Sequence, residues 1–225
     1  MPTRLVLIRH GQSVAMVERV AGGDRGCRGL SDLGHRQAAA LAARLAATGE
    51  LADATVLLSS TLPRAVETAE AIRDALGGLP IGLDADLREW HPGEGDGLTW
   101  EEWERRFGGF DTAVEPYRPL SPGGESWAEF QLRAGRALAR VAAAHPDTTV
   151  VVACHGGIIE SSLLHGLQLP SQFPPEHRIQ IPTPTSLTEW RVTAEPARPL
   201  HWQLVRFGDA AHLGADAEPR AARWS

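Results

Sequence analysis

Short apolar runs alternate with longer amphipathic ones along this chain. Residues 4–8 (Arg-Leu-Val-Leu-Ile), 54–58 (Ala-Thr-Val-Leu-Leu) and 150–153 (Val-Val-Val-Ala) are too short for helices and almost free of polar positions. That is the pattern of strands buried on both faces of a sheet. Residues 81–84 make a fourth strand candidate. Between these runs the spacing turns helical. Residues 32–48 set Leu33, Ala40, Leu41 and Leu45 largely on one side, with Ser31 placed to cap the helix and Gly49 to stop it. A second helix spans residues 62–76, with Ser60 or Thr61 as its cap, Pro63 in its first turn and Gly77 at its end. A third covers residues 126–144, carries Trp127, Phe130, Ala134 and Leu138, and stops before His145-Pro146. Another apolar helix pattern begins directly after His155. Two late strands, 186–192 and 201–207, flank a Pro-containing turn and predict an antiparallel pair at a sheet edge.

Strands alternating with helices imply an α/β fold. The expected architecture is a three-layer sandwich: a mostly parallel central sheet, helices on both faces, and one antiparallel edge. Residues 1–207 are expected to form a single domain with a small cap region at about 90–125, and the Ala/Asp/Arg-rich residues 208–225 a partly disordered tail.

Candidate chemistry sits where the strands end, which is where open α/β sheets hold their ligands. The first strand delivers Arg9, His10 and Gly11, a cation and an imidazole followed by a residue that lets a ligand approach the backbone. Taken alone, His10 reads equally as a turn histidine. After the second strand, Arg64 emerges in the first turn of a helix, where its charge opposes the helix dipole and so calls for a compensating role. The strand at 150–153 leads through Cys154 into His155-Gly156-Gly157 at a helix start, whose free N–H groups favour an anion. Two strand-end His-Gly pairs in one chain weaken the turn-residue reading. Glu89, in Leu87-Arg88-Glu89-Trp90, supplies the carboxylate that the two histidines and two arginines lack. Those four groups suit a phosphoryl group, but a leaving alkoxide still needs a proton.

Several chemistries are excluded or disfavoured. The chain of 225 residues contains no lysine, so all 22 basic residues are arginine; Schiff-base and P-loop lysine chemistry are ruled out. A net charge of −6 argues against general nucleic-acid or anionic-membrane binding. The two cysteines, Cys27 and Cys154, form no CxxC pair: Cys154 belongs to a core strand, and Cys27, on a loop, is a minor candidate for oxidation. His35, His145, His165, His177, His201 and His212 stand without the ligand spacing of a metallophosphatase, so neither metal nor other cofactor is expected. With no apolar run of membrane-spanning length, the sequence predicts a cytoplasmic protein. Its expected partner is a small-molecule phosphomonoester, with no nucleic acid and no membrane, and the sequence is compatible with a homo-oligomer.

Six motifs occur in a telling order: Arg9-His10-Gly11, residues 30–38 (Leu-Ser-Asp-Leu-Gly-His-Arg-Gln-Ala), residues 59–69 (Ser-Ser-Thr-Leu-Pro-Arg-Ala-Val-Glu-Thr-Ala), Leu87-Arg88-Glu89, Pro122-Gly123-Gly124-Glu125-Ser126, and His155-Gly156-Gly157. With them the chain resembles the histidine phosphatase superfamily, in its phosphoglycerate-mutase-like branch, over roughly residues 4–190. The resemblance implies that His10 is the nucleophile of a phosphohistidine intermediate and that Arg9 and Arg64 grip phosphoryl oxygens. It implies that His155 donates to one of those oxygens and that Glu89 is the acid for the leaving group and later the base for water. Gly11 and Gly156 would keep the pocket floor thin. A backbone carbonyl is expected to orient the second ring nitrogen of His10, and the arginine forks suit phosphate oxygens.

The chain departs from the family pattern in three places. Gln12 and Met16 stand where glutamate and asparagine are common in the family, and a thioether cannot replace the hydrogen bonds of an amide. The loop at 19–29, rich in Gly and Arg, would border the pocket, with Gly22 and Gly23 among its phosphate-binding candidates; a plain solvated loop is the alternative. Near Glu89, Glu94 and Asp96 read as turn residues, or else as substitute proton donors. Trp90, Trp100 and Trp103 are expected either to pack the cap or to touch the leaving group.

Between Glu89 and His155 the sequence leaves little length for a lid that would exclude water, which favours hydrolysis. The alternative is a cofactor-dependent phosphoglycerate mutase. A non-catalytic phosphate-binding regulatory protein is a third reading, since a fold does not fix a function.

Overall fold

The computed structural model describes residues 1–109, 111–170, 181–194 and 200–214. Twelve elements carry the fold: β1 (Thr3–Arg9), α1 (Val14–Glu18), α2 (Asp32–Thr48), β2 (Ala54–Ser60), α3 (Pro63–Arg73), β3 (Ile81–Asp84), α4 (Trp100–Phe107), α5 (Trp127–Ala144), β4 (Thr149–Cys154), α6 (Gly156–Gly166), β5 (Leu187–Thr193) and β6 (His201–Asp209). Six strands form one sheet in the order β3-β2-β4-β1-β5-β6. The four strands from β3 to β1 run parallel, whereas β5 pairs antiparallel with both β1 and β6. The expected mixed sheet with an antiparallel edge is therefore present.

Alternation within the apolar strands builds both layers of the core. Leu5 and Leu7 of β1, with Val150, Val152 and Cys154 of β4, pack with Phe130, Ala134 and Leu138 of α5 and with Ile158 and Ile159 of α6. Val6, Ile8, Val151 and Ala153 point to the other face, where Leu41 and Leu45 of α2 and Ala69 and Ile72 of α3 cover them. A strand clothed on both sides has no need of polar positions, which is why these runs are continuous.

The helix ends follow local chemistry. Ser31 Oγ accepts from Gly34 N at the start of α2, and Gly49 closes that helix in the left-handed region at φ +63°. Ser126 and Glu129 form a reciprocal capping box on α5. The start of α3 corrects the expected cap. Leu62 holds the cap position without a side-chain bond of its own; Ser60 Oγ accepts from Leu62 N at 3.3 Å while also meeting His155, and Thr61 meets Arg88. The helix then tightens into a short 3₁₀ turn, Asp74–Leu76, before Gly77.

The last strand extends beyond the expected domain end at residue 207. β6 runs to Asp209, whose carboxylate meets Arg44 and Arg206, and Leu213 is buried. Order thus continues past residue 207 because ion pairs and one apolar anchor hold it; residues 215–225 of the expected tail lie outside the described residues. Among the described residues no helix is long and apolar enough to cross a membrane.

Leu41 is fully buried against the sheet. Replacement by alanine is expected to lower unfolding free energy by about 2–5 kcal/mol. Urea denaturation should show this as a lower midpoint with an unchanged slope.

Candidate active site

Register brings the candidate residues to one edge. Arg9 lies opposite Cys154 across β1 and β4, and Ser59 lies opposite Ala153 across β2 and β4. His10 N donates to the Cys154 carbonyl at 2.9 Å, extending the ladder one residue beyond the strands. After β1 the chain leaves toward the α2 face, and after β4 toward the α6 face. Neighbouring strands whose connections part in this way leave a crevice at their carboxyl ends.

His10 is buried at that crevice. Its Nδ1 lies 2.6 Å from the carbonyl of Gly11. A carbonyl can only accept, so this nitrogen carries the proton and Nε2 keeps its lone pair. Arg64 Nε donates to that lone pair at 3.1 Å, while its Nη1 donates to the Gly22 carbonyl at 2.6 Å. These bonds are the compensation that a buried first-turn arginine requires. Gly11 N in turn donates to Thr68 Oγ1 at 3.1 Å, and a Cβ at position 11 would stand 2.6 Å from the Gly34 carbonyl.

His155, at the N-cap of α6, is fully buried with its ring centre 5.1 Å from that of His10. Its Nε2 lies 2.7 Å from Ser60 Oγ, and its Nδ1 has no hydrogen-bond partner among the described residues. Both imidazoles titrate well below an ordinary histidine. Burial is the chief cause at each, and the guanidinium charges of Arg64 and Arg9 oppose protonation further. The two rings are therefore neutral near pH 7, as an attacking nitrogen must be.

Glu89 follows a 3₁₀ turn (Ala85–Leu87) and reaches the start of α6. Gly157 N donates to its Oε2 at 3.0 Å and Trp90 N to its Oε1 at 3.1 Å. Gly157 is required here, since a Cβ would lie 2.2 Å from Glu89 Oε1 and 2.9 Å from the Phe130 ring. Burial, with the negative charge of Glu89 beside it, pushes the Cys154 thiol up, so Cys154 is a core residue and no thiolate.

Arg9 donates to the Pro182 carbonyl at 2.6 Å, and its Nη2 lies 3.8 Å from Met16 Sδ. Met16 thus touches the fork of Arg9 through its sulfur. Gly156 lies beside the same guanidinium, since a Cβ there would stand 3.6 Å from Arg9 Nε and 2.6 Å from Ile181.

Gly22 and Gly23, the phosphate-binding candidates of the loop, border the site. The Gly22 carbonyl holds Arg64, and Gly23 N donates to Asp96 Oδ1. Asp96 also accepts from Arg25 N and Gly26 N, so its carboxylate organises the loop, which excludes it as a spare proton donor. Glu94 is an exposed turn residue. Of the loop arginines, Arg25 lies near Asp96 and Arg28 pairs with Glu18. Cys27 is buried, which removes it as an oxidation candidate. Trp90 and Trp103 belong to the core around Phe130 and Trp127, the cap-packing reading.

A family model for the histidine phosphatase superfamily (branch 1) matches residues 5–205. The chain belongs to this superfamily. It is 31% identical over 218 residues to phosphoglycerate mutase-like protein 4 of Arabidopsis thaliana, covering 93% of this chain and 86% of that protein. With glucosyl-3-phosphoglycerate phosphatase of Mycolicibacterium vanbaalenii it shares 35% over 178 residues, covering 74% and 75% respectively. A bifunctional protein of Mycobacterium tuberculosis is 37% identical over 160 residues, and there the match spans 68% of this chain and 41% of the relative. The solved mycobacterial glucosyl-3-phosphoglycerate phosphatase in complex with VO3 aligns at a TM-score of 0.74 and 28% identity, covering 92% of this chain and 99% of that one.

In this histidine phosphatase superfamily member, sequence reasoning named the five charged or imidazole groups and missed what orients them. Ser60 and Thr68 lie inside the motif at residues 59–69, but nothing in their spacing assigns them to His155 and to Gly11. Among the described residues, no three His, Cys, Asp or Glu side chains gather as a metal-ligand set.

Neutral burial has a signed consequence for stability. The unfolded chain takes up protons on these histidines near pH 6.5, while the folded chain refuses them until a lower pH. Unfolding free energy should therefore fall as pH drops below about 6.5, by up to about 1.4 kcal/mol per pH unit for each imidazole. In urea titrations at pH 7, 6 and 5, His10→Asn should flatten this dependence; an unchanged slope would refute the neutral, buried imidazole.

Proposed function

We propose that this chain is a phosphatase that hydrolyses small phosphomonoesters through a phosphohistidine on His10, without a metal ion. The observation that carries the reading is the state of His10. Its protonated Nδ1 rests on the Gly11 carbonyl, and its Nε2 lone pair faces a guanidinium. The family match and the phosphatases among the relatives support the same chemistry.

His10 Nε2 attacks phosphorus while the ester P–O bond breaks. Arg64 and Arg9 turn their donors to the phosphoryl oxygens, which carry the charge that develops. His155 offers a ring N–H to one oxygen, satisfying a nitrogen that is otherwise buried without a partner. Glu89 gives its proton to the departing alkoxide. Water then attacks phosphorus, Glu89 takes its proton, the P–N bond breaks, and phosphate leaves with His10 restored.

Between Glu89 and His155 the chain forms α4, a turn-rich stretch closed by the Pro119–Ser126 bridge, and α5. That economy supports transfer to water over a sealed exchange between two bound esters.

The test is phosphate release from a panel of phosphomonoesters in chelator, with acid-quench and base-quench trapping of the labelled enzyme. The expected product is an acid-labile, base-stable adduct that His10→Ala abolishes along with turnover. A surviving adduct would move the nucleophile elsewhere. Isomerisation of 3-phosphoglycerate with 2,3-bisphosphoglycerate outpacing release would make the chain a mutase, and loss of turnover in chelator, restored by a divalent ion, would make it metal-dependent.

A further inference from the structure

Glu89 lies in no strand or helix, so its carboxylate is only as well placed as the main chain of residues 86–91. That segment is held from α5 by one guanidinium. Arg133 Nη1 donates to the carbonyls of Asp86 at 2.7 Å and Arg88 at 3.1 Å, and its Nη2 to the carbonyl of Glu89 at 3.3 Å. The same fork meets Glu125 in bidentate fashion, Nε to Oε1 and Nη2 to Oε2, both at 2.7 Å. Its Cζ lies 5.1 Å from the centre of the Phe130 ring.

Glu125 completes the grip from the other side. Its Oε2 accepts from His91 N at 3.0 Å, its own N donates to the His91 carbonyl at 3.0 Å, and its carbonyl accepts from Trp90 Nε1 at 2.7 Å. The pair therefore fastens the chain immediately before and after Glu89, and at the residue itself. Charge-assisted bidentate bonds are the strong, directional kind, and a misplacement of about 1 Å at a reacting group costs on the order of a hundredfold in rate.

We propose that Arg133 and Glu125 are positioning residues for the proton transfer by Glu89: they set its main chain so that the carboxylate meets the leaving oxygen. The inference rests on the reading of Glu89 as general acid, and the experiment separates the two. A p-nitrophenolate departs without a proton, whereas an alkoxide does not. Steady-state turnover is measured on p-nitrophenyl phosphate and on glycerol 3-phosphate for the unaltered chain, Glu89→Gln, Arg133→Met, Glu125→Gln and the Glu89→Gln/Arg133→Met double variant.

Glu89→Gln is expected to lose about 10²- to 10⁴-fold in kcat/KM on the alkyl ester and little on the aryl ester, because kcat/KM reports phosphoryl transfer to His10 and not the hydrolysis step that both esters share. Arg133→Met should show the same split, with about tenfold or more lost on the alkyl ester alone, and no further loss when added to Glu89→Gln. Glu125→Gln keeps the size of the side chain and should show the split in weaker form, which serves if the Arg133 variant does not fold. Equal losses on both esters, or no loss, would reduce the pair to a structural contact and overturn the proposal. A split in Glu89→Gln that neither other variant shares overturns it alone; no split in Glu89→Gln overturns the general-acid reading itself.

Discussion

The hydrogen bond from His10 N to the Cys154 carbonyl, 2.9 Å long, is the constraint on which the site depends. It holds the ends of β1 and β4 level, so that the residues following each strand, His10 and His155, stand with their rings 5.1 Å apart. A slip of one residue in either strand would turn its side chains to the opposite face and part the pair. The continuous apolar faces of both strands forbid that slip, because Leu5 and Leu7 serve one core layer and Val6 and Ile8 the other. Core packing and site geometry are thus one requirement.

Burial of these two rings explains the electrostatics around them. A desolvated imidazole loses its proton, and Arg64 and Arg9 beside it deepen the effect. Concentrated positive charge in a crevice calls for acceptors, and carbonyls supply them here: Gly22 for Arg64 and Pro182 for Arg9. Such bonds hold the forks near the nucleophile.

Much of this was legible in sequence because it is local. Strand ends, the Ser31 cap, and the Arg-His-Gly and His-Gly-Gly junctions are short patterns whose physics is complete within a few residues. What stayed hidden depends on distant partners. Ser60 has the composition of a helix cap and does accept from Leu62 N, yet its hydroxyl also meets His155, ninety-five positions away. The sequence leaves the loop at 19–29 either beside the pocket or in solvent, and does not show that Asp96 gathers three of its N–H groups and sets its shape. Arg133 carries no local signature, and the motif that holds Glu125 does not show its task, since the task of both is defined by main-chain atoms of a third segment.

The absence of lysine fits this construction. An ammonium is a point charge with three donors, while a guanidinium presents five in a plane. Arg64 uses that plane to reach an imidazole and a carbonyl together, and Arg133 to reach a carboxylate and three carbonyls. Arg44 likewise bridges Glu50 and Asp209, joining α2 to the last strand, with Arg206 on the same two carboxylates. At each junction a single side chain ties segments that the sheet does not connect. A lysine would keep the charge and lose the spanning geometry, so in this chain arginine is as much a structural connector as a ligand for phosphate.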